Sequence, residues 1–165
     1  MDIRNNNLNF TANMVRDKSV KDRRWNCIAL EVERQTQNSP EYEIRLFQED
    51  DKFEVYIDRG RRDDLSTRSF LLSREGSEAL SKLSDQSIAQ KFKKMLNLVK
   101  AHDKVYDNLP DDIAKLEKKY GVEFDQGTYD RIAHAVYSKV ETTASNKIWD
   151  DAVLSDAETS IIRSC

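Results

Sequence analysis

The spacing of apolar residues changes once along this chain, and this change constrains the fold more than any other feature. Before Ser73, apolar and polar residues alternate, as in Phe53, Val55 and Ile57, which is the period of a strand with one buried face. After Ser73, apolar residues recur at three- and four-residue intervals, which is the period of an amphipathic helix. Because the strands precede the helices and do not alternate with them, the sequence predicts an α+β fold.

Four runs in the first half of the chain have the pattern of strands: residues 25–33, 42–47, 53–58 and 66–72. Short polar connections join consecutive runs, so we predict a four-stranded antiparallel meander sheet with one buried face. In the first run, this arrangement directs Leu30 to the core and Trp25 to the opposite face, and it makes Cys27 a buried thiol.

Several helices are predicted after the sheet: residues 73–83, a long helix from Asp85, residues 110–120, residues 128–140 and a C-terminal segment around Trp149. Leu109–Pro110 is expected to interrupt the long helix, because proline lacks the N–H that an interior helical position donates. The spacing of Ser155 and Glu158 predicts a capping box before the final apolar residues.

Three parts of the chain differ in composition. Residues 1–22 are rich in asparagine and charge and are expected to form a flexible N-terminal arm, which would become ordered on contact with a partner. Residues 23–107 would form the domain of the sheet and the long helix. Residues 108–165 carry more acidic than basic residues and would form an acidic helical extension.

The motifs of common enzymes are not found in the sequence. The four glycines are too scattered for a phosphate-binding loop, and no serine has the context of a nucleophile elbow. His102 and His134 lie on separate predicted helices, with no second histidine or cysteine at ligand spacing. We therefore expect a non-enzymatic protein without catalytic residues, metal or cofactor.

No run of apolar residues approaches the length of about 18 that a membrane span needs. The N-terminal sequence MDIRNNNLNF also lacks the apolar region of a signal peptide. We expect no membrane partner and an intracellular, cytoplasmic location, with the nucleus as the alternative.

A group of arginines follows the third predicted strand, where Arg59, Arg61 and Arg62 surround Gly60. On the face away from the core, Phe47 and Tyr56 would lie beside arginines. Aromatic rings interleaved with arginine on an open sheet stack unpaired bases, at ~1–3 kcal/mol per base. Two other interpretations stay open: helices or a second subunit cover these rings, or neighbouring aspartates pair with the arginines and leave an ordinary solvated turn.

Residues 24–100 resemble the superfamily of single-stranded-DNA-binding transcriptional coactivators and Whirly proteins. The resemblance rests on the order of four strands, the charged third turn and the segment Leu72–Ser73…Ala79–Leu80, where the last strand leads into a helix. It implies nucleic acid bound along strand edges and hairpins, and self-association through the helix. The positions that match these contacts are Arg45, Tyr56, Arg59, Arg61, Arg62 and Arg68.

Two functions from different classes follow from these observations. The first is a homodimeric protein that binds single-stranded nucleic acid and regulates transcription or replication. The alternative is a protein–protein adaptor, or a virus-encoded inhibitor, that docks on a larger host complex through its arm or its acidic helices. Acidic residues on the open face of the predicted sheet, such as Glu43 and Glu54, would repel phosphates and so weaken the first hypothesis.

Overall fold

The structure is a computed structural model that describes residues 13–37, 39–59, 67–143 and 145–164. A four-stranded sheet is followed by a helical half, which confirms the α+β class. The elements are β1 (Asn13–Arg16), α1 (Arg24–Gln35), β2 (Tyr42–Glu49), β3 (Lys52–Arg59), β4 (Arg68–Leu71), α2 (Arg74–Lys82), α3 (Asp85–Tyr120), α4 (Gln126–Thr143) and α5 (Asn146–Ser164).

The strands lie in the order β1-β2-β3-β4. β2, β3 and β4 form the predicted antiparallel meander, whereas β1 pairs with β2 in parallel, so the sheet is mixed and not wholly antiparallel. The β2–β3 hairpin turns at Asp50 and Asp51, whose φ angles are +47° and +64°. Two left-handed residues at the tip of a hairpin match the right-handed twist of the flanking strands.

The prediction of a strand at residues 25–33 is wrong, because this segment forms helix α1. Ile28 and Val32 are four residues apart and therefore fit both a strand face and a helix face. Leu30 distinguishes the two, since it is 68% exposed while Trp25 is 2% exposed and lies in the core. Cys27, predicted to be buried, is an exposed thiol on α1. The outer strand β1 instead comes from the segment assigned to the flexible arm.

Helices α1 and α3 cover one face of the sheet. The ring of Trp25 lies 4.8 Å from that of Phe53 and 6.5 Å from that of Phe92, centroid to centroid, and so joins α1, β3 and α3. The main core is made of apolar side chains from the sheet and these helices, among them Ile28, Val32, Ile44, Leu46, Val55, Ile57, Phe70, Ile88, Met95 and Val99. Burial of these side chains supplies most of the driving force for folding.

Helix α3 continues through Pro110, so the predicted interruption at Leu109–Pro110 is also wrong. The neighbouring Leu109 and Ile113 are buried against Ala133 of α4 in a second, smaller core. This packing compensates for the single backbone hydrogen bond that proline removes. The helix ends at Gly121, which has a left-handed φ of +64°, the conformation that glycine adopts most readily.

Helix α5 returns to the sheet domain and adds Trp149 and Val153 to the main core. Asp150 Oδ1 accepts a hydrogen bond of 3.2 Å from the backbone N–H of Ser73, at the start of α2. Ser155 and Glu158 lie inside this continuous helix, so the predicted capping box does not form. The division of the chain at residues 107 and 108 stays a prediction, although α3 runs across it.

Candidate binding surface

The six residues predicted to contact nucleic acid do not form one cluster. Arg45 on β2 lies directly opposite Tyr56 on β3, and both point away from the main core. Arg59 and Arg68 continue the alternation of the buried Ile57 and Phe70, so they lie on the face that the helices cover. Arg61 and Arg62 lie outside the described residues.

Arg59 and Arg68 contact α3. Arg59 Nη1 lies 2.7 Å from Asp107 Oδ2, and this hydrogen bond raises the pKa of Arg59. Arg68 Nη2 lies 3.9 Å from Asp103 Oδ1, and its guanidinium lies 5.0 Å from the centre of the Tyr106 ring. These contacts hold the C-terminal end of β3 and the N-terminal end of β4 against the middle of α3.

Asp103 is buried, and Tyr42 stabilises its carboxylate in addition to Arg68. The Tyr42 hydroxyl donates a 2.7 Å hydrogen bond to Asp103 Oδ2. Burial raises the pKa of Tyr42, and the hydrogen bond to the carboxylate raises it further, so the hydroxyl remains a donor. A buried carboxylate needs such partners, since an unpaired buried charge is strongly destabilising.

His102, the neighbour of Asp103, is also buried. Its Nδ1 has no hydrogen-bond partner among the described residues. Burial lowers the pKa of His102, the positive charge of Arg68 lowers it further, and Asp103 opposes both effects. The imidazole is therefore held neutral next to the polar contacts of Tyr42, Asp103 and Arg68.

We call the other side of the sheet the open sheet face and define it by Val15, Arg45, Phe47, Tyr56 and Leu71. Phe47 and Tyr56 form an edge-to-face pair with ring centroids 5.3 Å apart. A groove of about 460 Å³ passes over this pair, and all its lining residues belong to strands or their connecting loops. No helix side chain from the described part of the chain lines this groove.

Among the described residues that line the groove, three carboxylates face two cations. Arg45 and Lys52 contribute positive charge, and Asp17, Glu49 and Glu54 contribute negative charge. Arg45 is itself neutralised, since its Nη2 donates to Asp58 Oδ2 at 3.2 Å and its Nε lies 3.3 Å from Glu43 Oε1. The Tyr56 hydroxyl donates a hydrogen bond to the Glu54 carboxylate, and this hydrogen bond raises the pKa of Tyr56. The groove is thus an aromatic surface with an acidic rim.

Neither a metal-binding cluster nor a membrane-spanning helix is found in the part of the chain that the structure describes. No three side chains of histidine, cysteine, aspartate or glutamate there come close enough to hold a metal ion. None of the helices in the described ranges is long and apolar enough to cross a membrane.

Sequence reasoning did not identify Asp103 and Asp107 as partners of the arginines, nor Tyr42 as a hydrogen-bond donor to Asp103. A signal was present, because the apolar stripe of α3 through Met95 and Val99 continues at four-residue steps to Asp103 and Asp107. Acidic residues in register with a buried stripe require cationic or hydrogen-bonding partners from the element packed against it.

Comparison with known proteins identified no relative of this chain. Searches with models of protein families, with curated proteins and with solved structures found no match for the chain, so the resemblance of residues 24–100 to the coactivator and Whirly superfamily stays a prediction.

Proposed function

We propose that this protein is a non-enzymatic interaction module that binds a cationic, partly apolar segment of another protein on the open sheet face. The observation that carries the proposal is the Phe47–Tyr56 pair, which lies in a groove whose described lining residues include more carboxylates than cations. This corresponds to the adaptor or inhibitor hypothesis, with the docking surface moved from the arm and the acidic helices to the sheet.

The chemistry of the groove favours a basic peptide over other partners. Glu49 and Glu54 can each accept hydrogen bonds from an arginine or lysine of the partner, and charge-assisted hydrogen bonds are about twice as strong as neutral ones. The rings of Phe47 and Tyr56 can hold a cation over their faces or an apolar side chain against them. Phosphates would meet the same carboxylates and be repelled.

Single-stranded nucleic acid is the second candidate, because the same aromatic pair lies beside Arg45. An unpaired base stacked on Tyr56 would place its phosphate near this guanidinium. The cost is that Arg45 would have to exchange Asp58 and Glu43 for the phosphate. Regulation of transcription or replication would follow from this mode of binding only.

The two candidates separate in a fluorescence-anisotropy titration at low salt. One probe is a labelled peptide with alternating arginine and tyrosine, and the other is labelled oligo-dT. If the proposal is right, the wild-type chain binds the peptide, and Glu49→Lys together with Glu54→Lys weakens that binding at least tenfold. The matched control is Glu123→Lys, which changes an exposed glutamate in the connection between α3 and α4 and should leave the affinity unchanged.

Each alternative outcome has its own meaning. Binding of oligo-dT that increases in the Glu49→Lys/Glu54→Lys variant and disappears in Arg45→Ala would establish the second candidate and reject the first. If neither probe binds at low salt, the open sheet face is not a binding surface for either class of partner.

A further inference from the structure

The connection between α3 and α4 presents apolar and basic side chains to solvent. We call it the α3–α4 tip and define it by Lys118, Lys119, Tyr120, Gly121 and Val122. Tyr120 is 64% exposed and Val122 is 46% exposed, and both lysines are exposed as well. A Cβ added at Gly121 would meet no described atom from elsewhere in the chain within 4 Å. The tip therefore stands clear of the rest of the described chain.

The tip carries positive charge that no ion pair balances. Lys118 and Lys119 form no ion pair with the described residues. The carboxylate of Glu117 is directed to the backbone, where it accepts the N–H of Phe124 at 2.7 Å. Glu123 is exposed beside the tip. Within residues 117–123, the lysines therefore outnumber the carboxylates that the backbone does not engage.

This tip has the chemistry that the groove of the open sheet face lacks. Lys119 Nζ lies 5.3 Å from the centre of the Tyr120 ring, so a cation and an aromatic ring lie side by side. In the groove, the Phe47–Tyr56 pair lies beside carboxylates. Aromatic rings can pack on aromatic rings and hold a cation over their faces, and the lysines can pair with the carboxylates. The two surfaces are thus complementary in charge and in apolar contact.

The tip of one molecule cannot enter the groove of the same molecule. Asp107 of α3 pairs with Arg59 on the covered face of the sheet, and α3 continues without a break to Tyr120. At about 1.5 Å per residue, the tip lies roughly 20 Å beyond this contact. The groove lies on the opposite face of the sheet, so only a second molecule can bring the two surfaces together.

We propose that the α3–α4 tip of one copy of this protein docks in the open-sheet-face groove of a second copy. The Tyr120 ring packs against Phe47 and Tyr56, and the tip lysines pair with the carboxylates of the groove. The inference rests on the proposed function, because it names a partner for the same groove. The contact joins two different surfaces, so it either closes into a symmetric complex or continues as a chain of molecules. An interface this small is weak and transient.

The test measures the mass of the full chain by light scattering and sedimentation velocity as a function of concentration. At low salt, the average mass should rise from about 10 µM to about 1 mM, the range expected for a small interface. High salt should lower it again, because salt screens exposed charges. A saturating amount of the peptide with alternating arginine and tyrosine should also lower it, since the peptide competes for the groove.

Charge-reversal variants show whether the tip is the surface involved. Lys118→Glu together with Lys119→Glu should raise the dissociation constant of self-association at least about tenfold. The matched control is Lys93→Glu together with Lys94→Glu, which makes the same change of charge at two exposed positions of the same helix and should leave self-association unchanged. Tyr120→Ala should weaken self-association without a change of charge.

A mixing experiment tests the pairing of the two surfaces directly. The tip variant Lys118→Glu/Lys119→Glu and the groove variant Glu49→Lys/Glu54→Lys should each stay monomeric alone. The first keeps the wild-type groove and the second keeps the wild-type tip, so an equimolar mixture should associate again. Recovery in the mixture is expected only if the tip of one molecule contacts the groove of another.

Three results would overturn the inference: no rise of mass with concentration at low salt, equal losses in the tip variant and in the Lys93→Glu/Lys94→Glu control, or no recovery in the mixture. If the labelled peptide binds the groove while the chain stays monomeric, this inference fails and the proposed function stands. If the peptide does not bind and the chain stays monomeric, both fail. If the groove variant does not fold, the tip variant and its control still decide the question, since all four lysines are exposed.

Discussion

The guanidinium of Arg59, the last residue of β3, lies 2.7 Å from the carboxylate of Asp107 on α3. One helical turn earlier, Asp103 accepts a hydrogen bond from the Tyr42 hydroxyl and lies near Arg68. The end of the sheet that carries Arg59 and Arg68 is therefore held against the long helix by side chains of opposite charge. Two of the arginines that the sequence marked for nucleic acid already have partners inside the protein.

Replacement of Arg59 measures what the ion pair with Asp107 contributes. The side chains of Arg59 and Asp107 are 21% and 47% exposed, so solvent screens their attraction and limits it to that of a partly exposed pair. We expect Arg59→Ala to lower the free energy of unfolding by about 0.5–1 kcal/mol in urea denaturation. In the double-mutant cycle with Asp107→Ala, the two effects should not add; strictly additive losses would show that the pair contributes nothing.

Removal of the Tyr42 hydroxyl should have a larger effect, because its acceptor is a buried carboxylate. Tyr42→Phe keeps the ring in the core and deletes the 2.7 Å hydrogen bond to Asp103. We expect a loss of about 1.5–3 kcal/mol in the free energy of unfolding, the range for hydrogen bonds to charged groups. Tyr120→Phe, at an exposed position, is the control and should stay within about 0.5 kcal/mol of wild type.

Stability should fall as the pH drops below the ordinary pKa of histidine, because His102 is buried. Its pKa is lowered from 6.5 in the folded chain by burial and by Arg68, against the opposing effect of Asp103. Below pH 6.5 the unfolded chain therefore binds a proton that the folded chain excludes, so acidification favours unfolding, while above 6.5 both states are neutral at this residue.

The measurement for His102 is urea denaturation at pH 7.5 and at pH 5.5. The loss of stability between these pH values should be smaller in His102→Gln than in wild type, and unchanged in His134→Gln, which replaces an exposed histidine. An identical pH dependence in wild type and His102→Gln would refute this assignment, whatever the absolute stability of the variant.

A methyl group at Gly76 should loosen α5 from α2. A Cβ at this position would overlap the Asp150 carboxylate, which accepts the Ser73 N–H at 3.2 Å. Alanine gains roughly 0.8–1 kcal/mol of helix propensity over glycine, whereas loss of a hydrogen bond to a charged group costs about 1.5–3 kcal/mol. The second effect is larger, so we expect a net loss of about 0.5–2 kcal/mol in thermal or urea unfolding.

Gly127 provides the matched control for this substitution. Among the described residues, a Cβ there meets only Asp125 Oδ1, at 3.7 Å, which is an ordinary contact distance. Gly127→Ala in the first turn of α4 should stabilise the chain by up to about 1 kcal/mol. If Gly76→Ala stabilises it equally, the close approach of α2 and α5 is not rigid.

Several elements could be predicted because their signals are local. The β2–β3 hairpin follows from strict alternation on both sides of a polar turn, and the core residues of α3 follow from the helical spacing of Ile88, Phe92 and Met95. The cap of α2 is likewise local, since Ser73 Oγ accepts the N–H of Gly76 at 2.9 Å. In each case neighbouring residues alone determine which groups are buried or hydrogen-bonded.

The binding surface could be predicted only in part. The Phe47–Tyr56 pair and its neighbour Arg45 follow from the alternation of β2 and β3. The same alternation directs Arg59 and Arg68 to the face of Ile57 and Phe70, but their aspartate partners could not be predicted without the position of α3. An arginine next to a strand has the same local pattern whether it faces solvent or an aspartate on a distant helix.

The sequence by itself determined the α+β class, the hairpin and the amphipathic faces of α2, α3 and α4, because these depend on periodicity over a few residues. Only the tertiary structure decided that residues 24–35 form a helix, that β1 joins the sheet in parallel, and that Asp103 and Asp107 hold the sheet arginines. These outcomes depend on contacts between residues far apart in the chain, and such contacts override weak or ambiguous local preferences.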